Sequence, residues 1–245
     1  MTPPLPRIVL EHPDFYVVSK PPMWLTHRGR GRADLPNLLD YLKWERGEPN
    51  LAAPHRLDRE TSGAHLLSRD AGAARDFFTL FRERRLSKTY LTLVHGHPAW
   101  DAQEVDAPLD FLGLSEHNDV LIRQGVMPGG KAALTRFELL GRRTHPQHGP
   151  LSLLAALPVS GRLHQIRAHL SLLGLPMVGD KIYGREPGAF VAFMTDALSD
   201  EQRSRLILTR QALHAWRLEF GWVGAAVKVE VPMSADMAAL WEEAQ

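Results

Sequence analysis

Apolar positions in "RIVLEHPDFYVVSKPP" fall on both sides of a His-Pro-Asp turn, and the double proline behind them cannot continue a ladder, which predicts two short strands. A glycine-rich basic loop, "THRGRGRADLPNLL", leads into a short amphipathic helix near Leu38, Leu39 and Leu42. From Ala73 to Leu86, the spacing of Ala73, Phe77, Leu80 and Phe81 predicts a helix whose phenylalanines are core, with Arg75, Arg82 and Arg85 elsewhere on the wheel. "KTYLTLV" alternates instead, which predicts a strand beginning at Lys88 with Tyr90, Thr92 and Val94 on one face.

Periodicity weakens between Gly96 and Gly130, where Pro, Gly, Asp and Asn mark a hairpin or a variable insertion. "ALTRFELL" and "LSLLAALPV" read as further strands. In "GRLHQIRAHLSLLGLP", Leu163, Ile166, Leu170 and Leu173 keep helical spacing, Gly174 and Pro176 close the helix, and His164 and Arg167 share a face. "LHAWRLEF" and "AVKVEVPM" flank "GWVG" as a hairpin, with Trp216, Leu218 and Phe220 facing Val227, Val229 and Val231. A helix from Ala235 ends the chain. Without repeats or a clear linker, the expectation is a single catalytic domain over residues 1–245, α+β in class, on a mixed, mainly antiparallel sheet with flanking helices.

Composition changes this picture in three ways. No segment of the 245 residues is long and apolar enough to cross a bilayer, so no membrane partner is expected. The absence of cysteine excludes disulfides and thiolate zinc sites, and with no secretory signal read at the N-terminus the expected address is the cytoplasm. The net charge of +1 hides two basic segments, residues 55–90 and 160–185, each carrying +3, which leaves −5 for the rest. Brought together, they would form a local anion-binding surface.

Candidate chemistry narrows by elimination. Twelve histidines include no HExxH pattern, and neither a P-loop, a dinucleotide fingerprint nor a GxSxG elbow is present, so no metal and no cofactor are expected. In "HRLDRETSG" one carboxylate, Asp58, sits between Arg56 and Arg59 and ahead of a Thr-Ser-Gly turn. A carboxylate in a partly dry pocket stays ionised only beside a compensating cation, and Arg167, on the second basic helix, is the best-ordered candidate. A glycoside hydrolase normally needs two flanking carboxylates, and Glu60 is the only near partner in sequence.

"HRLDRETSG" resembles the signature of the RluA-type pseudouridine synthases. Four further segments match in family order: "FYVVSKPPMWLTH", "RLSKTYLTLVHG", "GRLHQIRAHLSLLGLPMVGDKIYG" and "RQALHAWRLEF", together spanning Ile8 to Phe220. The resemblance implies the pseudouridine synthase catalytic fold with a central RNA-binding cleft, and an isomerase that detaches uracil from ribose, turns it and rejoins it through carbon five. It implies a flipped target base and a basic surface for the surrounding phosphates.

By position, Asp58 matches the catalytic aspartate, which attacks the anomeric carbon, adds to the ring or removes a ribose proton; all three need its anion. Tyr90 matches the tyrosine that packs on the uracil and is proposed to take the carbon-five proton, and Arg167 the arginine that holds the aspartate ionised. Arg56 resembles the position filling the gap left by the flipped base, and His55, Arg59, Arg162, His164 and Gln165 are the remaining substrate-binding candidates. His55, with Thr61 and Ser62, is expected to shape the loop. Ala132 replaces a proline common in the family. The small N-terminal RNA-binding module of some members is expected to be absent, so the partner is RNA, a stem-loop of transfer or ribosomal RNA, read by a monomer with no DNA target. The rival reading is an inactive RNA-binding protein on the same fold.

Overall fold

The computed structural model describes residues 4–28, 35–113 and 118–245. In chain order its elements are β1 (Arg7–Glu11), β2 (Phe15–Lys20), α1 (Leu38–Arg46), β3 (Ser62–Ser68), α2 (Ala71–Arg82), β4 (Leu86–His95), β5 (Ala102–Asp106), β6 (Leu109–Phe111) and β7 (Gln124–Val126). They continue with β8 (Leu134–His145), β9 (Gly149–Pro158), α3 (Gln165–Leu172), α4 (Ala189–Met194), α5 (Asp200–Leu206), β10 (Leu213–Trp222), β11 (Ala225–Glu230) and α6 (Ala235–Glu243). The class is α+β with mainly antiparallel strands. Two compact units share the chain: Met1–Thr89 with His214–Ser234, and Tyr90–Leu213 with Ala235–Gln245.

In the first unit, β1, β2, β3, β10 and β11 lie side by side, antiparallel except for the β3–β10 pair. Inward residues Phe15, Val17, Leu66, Leu218 and Phe220 meet Phe77 and Leu80 of α2 in one core, and Phe77 stacks on Trp222 at 4.1 Å between ring centroids. Asp70 caps α2 through the amide of Ala73 at 2.8 Å, and Asn37 caps α1 through that of Asp40 at 2.8 Å, each cap contributing about 1 kcal/mol. The chain leaves α1 at Gly47, whose φ of +66° ends the helix without strain.

In the second unit, β4, β9, β8 and β5 form a consecutive antiparallel set, and β6 and β7 form a separate two-stranded pair. Helix α3 places Ala168 in a core with Leu109, Val120, Ala133, Ile182 and Tyr183. Gly174 closes α3 at φ +69°, with the Leu175 amide bonded back to the Leu170 carbonyl at 3.0 Å.

Several local expectations shift. Strand β4 begins at Leu86, two residues before Lys88, because the Leu86 side chain joins the first unit's core. Phe78 departs from its neighbouring phenylalanines and is 59% exposed, since the helical repeat turns it away from the sheet. Helix α3 starts at Gln165, so Leu163 and His164 precede it and His164 shares no helical face with Arg167; His164 has φ +54°, a left-handed conformation that breaks the helix there. The Thr-Ser-Gly segment divides as well. Thr61 closes a turn onto the Asp58 carbonyl at 3.1 Å, while Ser62 and Gly63 already belong to β3. Helices α4 and α5 have no counterpart in the hydrophobic pattern. Most of the basic loop before α1 lies outside the described residues.

Candidate active site

The first unit builds the turn that carries Asp58 from two sequence-distant brackets. Thr26 Oγ1 accepts the Leu57 amide at 3.1 Å and donates to the Leu57 carbonyl at 3.3 Å, so the residue before Asp58 is held by both of its backbone groups. On the other side, Lys20 Nζ donates to the Arg59 carbonyl at 3.2 Å and to those of Pro21 and Trp24 at 3.0 and 2.8 Å. Lys20 is fully buried, and these carbonyls supply part of the solvation that water would otherwise provide. The Lys-Pro-Pro stretch thereby becomes the base of the Asp58 turn. Asp58 itself is half-buried, and Arg56 beside it is exposed.

Behind the turn, β3 is seated by a close approach of backbones. Gly63 has φ +107°, and a Cβ there would lie 2.1 Å from the Ala215 carbonyl oxygen of β10. Ser62 Oγ lies 2.9 Å from His214 Nδ1, whose Nε2 lies 3.0 Å from the Val231 carbonyl. That carbonyl can only accept, so Nε2 carries the proton and Nδ1 receives the serine hydroxyl.

His65, on β3 itself, forms a desolvated pair with His55. His55 Nε2 accepts the Leu66 amide at 3.0 Å and lies 2.9 Å from His65 Nδ1. Burial first, then the neighbouring His65 and Lys88, holds His55 well below the ordinary histidine range, and burial with Lys20 and other cations pulls His65 down to about 3. Both rings are therefore neutral near pH 7. His55 has no charge to offer phosphate and acts as a support for β3. Desolvation also pulls the Lys88 amine down to about 8, and its Nζ lies 5.3 Å from the Phe81 ring centroid.

The second unit holds the other two candidates. Tyr90 sits on β4 opposite Ala156 of β9 and is 7% exposed. Arg167 is buried on α3, where Asp180 binds its guanidinium side-on, Nε to Oδ2 at 2.6 Å and Nη2 to Oδ1 at 2.8 Å. Burial alone would raise the Asp180 carboxyl, but Arg167 and the amides of Ile182 and Tyr183 overcome it and hold the acid below its usual range. Sequence reasoning assigned no role to Asp180 or to Tyr183, although both stand in the "GDKIYG" segment; buried Asp-Arg pairing leaves no local sequence signature.

The loop before α3 is shaped by Gln165. Its Oε1 accepts Ser160 Oγ at 2.8 Å and the Arg162 amide at 3.0 Å, and its Nε2 donates to the Leu134 carbonyl and Thr135 Oγ1, each at 2.9 Å. Its amide is thus engaged by protein on both ends. Exposed Arg162 leans on the Ala132 carbonyl at 3.0 Å, at the position where the family commonly has proline. Arg59, like Asp58, is half-buried in the turn. Among the described residues no cluster of His, Asp and Glu has the arrangement of a metal site, and no helix is long and apolar enough to cross a membrane.

Residues 14–172 match the family described as RNA pseudouridylate synthase. An RNA pseudouridine synthase of Helicobacter pylori is 34% identical over 226 residues, covering 92% of this chain and 72% of its own length. The ribosomal large subunit pseudouridine synthase D of Nitrosomonas europaea is 32% identical over 240 residues, 96% of this chain and 64% of that protein. Among solved structures, the human RNA pseudouridylate synthase domain containing 1 superposes with a TM-score of 0.74 at 28% identity, over 96% of this chain and 87% of that one.

Proposed function

Since the chain belongs to the RNA pseudouridylate synthase family and is an isomerase of uridine in RNA, we propose that Asp58 is its catalytic carboxylate and that Tyr90 and Arg167 complete the chemistry. The observation that carries this reading is the Asp58 turn: its carboxylate sits on backbone braced at Leu57 by Thr26 and at Arg59 by Lys20. A rigid turn holds a reacting group in one geometry, which lowers the barrier without further ordering at the moment of reaction.

In the reaction the C1′–N1 bond of uridine breaks, the uracil turns, and a C1′–C5 bond forms. Carbon five loses a proton and N1 gains one, so substrate and product are isomers and no redox partner is required. Asp58 acts as an anion, at the anomeric carbon, at the ring or on a ribose proton. Tyr90, on a buried stretch of β4, packs on the uracil and takes the carbon-five proton; Arg167 contributes a cation whose direction Asp180 fixes. Exposed Arg56 and Arg162 take phosphate or fill the gap left by the flipped base, with Arg59 and His164 nearby in sequence. His55 and Gln165 shape their loops. The two units act as one catalytic domain over residues 1–245.

The substrate is a stem-loop of ribosomal or transfer RNA, acted on in the cytoplasm by a monomer. Large-subunit ribosomal RNA is the first to try, because relatives carry that substrate in their names. The test uses transcripts labelled with tritium at carbon five of uridine. Wild type is expected to release tritium to water, while Asp58→Asn binds the same RNA and releases none. Turnover by the Asp58→Asn enzyme would sink the assignment of Asp58.

A further inference from the structure

Tyr183 is 5% exposed and touches both Arg167 and its partner Asp180. Its ring centroid lies 5.1 Å from the Arg167 guanidinium carbon, and its amide donates at 3.0 Å to Asp180 Oδ1, the oxygen that also receives Arg167 Nη2. His164, the residue that opens α3, meets the same ring edge-on at 5.7 Å, with Nδ1 3.2 Å from the Tyr183 hydroxyl.

The hydroxyl has a second partner on a different element. It accepts the backbone amide of Gln124, the first residue of β7, at 2.7 Å. An amide only donates, so the phenol keeps its own proton to give, and His164 Nδ1 is a partner within reach. Burial pushes the phenol up to about 12, which keeps that proton in place at any working pH.

The tie has an element at each end. His164 holds φ +54°, which a residue other than glycine keeps only where its surroundings impose it. Among the described residues the β6–β7 pair is joined to the chain beyond it by the Leu109–Lys131 bridge, and Phe111, Leu121 and Ile122 are 50%, 64% and 40% exposed. The amide end of this hairpin is fastened to the start of α3 through the Tyr183 oxygen, beside the packing of Leu109 and Val120 against Ala168 and Ile182.

The geometry points to Tyr183 as a positioning residue, a hydroxyl tie that makes the placement of Arg167 depend on how the β6–β7 hairpin is seated. The inference rests on the reading of Arg167 as part of the reaction site.

Tyr183→Phe keeps the ring, its packing and its contact with Arg167, and removes only the tie. Tritium release under saturating RNA is expected to fall about tenfold to a hundredfold, as for a small misplacement of a reacting group, while KM and RNA affinity stay within about twofold. The Gln124 amide, having lost its acceptor, should exchange its hydrogen faster than in wild type. His164→Asn, chosen because Asn tolerates the left-handed region, probes the same tie from its other end.

If the tie acts through His164, the double variant loses no more than the worse of the two single variants. Additive losses, an unchanged kcat in Tyr183→Phe, or a loss confined to KM would each overturn the proposal. A wild type that binds the transcripts and releases no tritium would overturn the reaction itself. A wild-type level of activity that survives intact in Arg167→Ala would overturn only the part given to Arg167, and the tie with it.

Discussion

The Arg167–Asp180 pair shows how far a single buried contact governs this protein. Both groups are almost fully desolvated, and breaking such a pair costs about 3–5 kcal/mol. Asp180→Asn is expected to lower stability by that amount at pH 7, measured by urea unfolding, and to lower tritium release because Arg167 loses its anchor. The pH dependence has a definite sign. The fold depresses the Asp180 carboxyl, so its contribution is fully present above the unfolded value of about 4 and is lost as pH falls through the lower folded value. The variant should therefore show a shallower loss of stability than wild type below about pH 4. A variant as stable as wild type at pH 7, with the same acid limb, would refute the assignment.

At the scale of elements, β3 links the candidate turn to the sheet, and one glycine permits the link. Strands β3 and β10 run parallel with Gly63 opposite Ala215, and any side chain at Gly63 would enter the Ala215 carbonyl. Gly63→Ala combines that overlap with a positive φ and is expected to cost at least about 4 kcal/mol, read as a large drop in the denaturant midpoint. A midpoint near wild type would mean that β10 sits farther from β3 than the structure places it. The same elements separate what the hydrophobic pattern reveals from what it hides. Strands β1, β2, β8, β9, β10 and β11 and helices α1, α2, α3 and α6 were legible because their apolar residues recur at the period of the element. Helix α5 was missed although its start carries a capping box, Ser199 with Gln202, that the sequence displays. Helix α4 offered only Gly188 and six residues, too short for a period to emerge.

For the whole molecule, formal charge overstates the cation available to RNA. Each unit contains one basic segment, yet Arg69 is bound by Glu48, Arg82 and Arg85 lie beside Glu83, Arg167 is bound by Asp180 and the Lys181 amine is bonded to the Thr209 carbonyl. Arg56, Arg75, Arg84, Arg162 and Arg185 are exposed. With about 3–6 phosphates neutralised on single-stranded or looped RNA, the logarithm of affinity should fall with the logarithm of salt at a slope of about −2 to −4. Arg56→Ala is expected to reduce that slope by about 0.7 without changing which uridine is modified. Filter binding across a salt series measures both, and a slope near zero would rule out phosphate contact by these segments.

The sequence alone determined the class of the fold, most strands and the longer helices, because periodicity is a local property written into consecutive residues. It also marked Asp58, Tyr90 and Arg167, through motifs whose order along the chain needs no coordinates. Tertiary structure decided the rest. Lys20 and Thr26 bracket the Asp58 turn from 39 and 31 residues away, Asp180 claims Arg167 from 13 residues away, and Gly63 is required by a strand that enters the sheet 152 residues later. Such pairings are set by the need of each buried charge, amide or carbonyl to find a partner once water is gone, and that partner is chosen by proximity in space, which neighbouring residues do not encode.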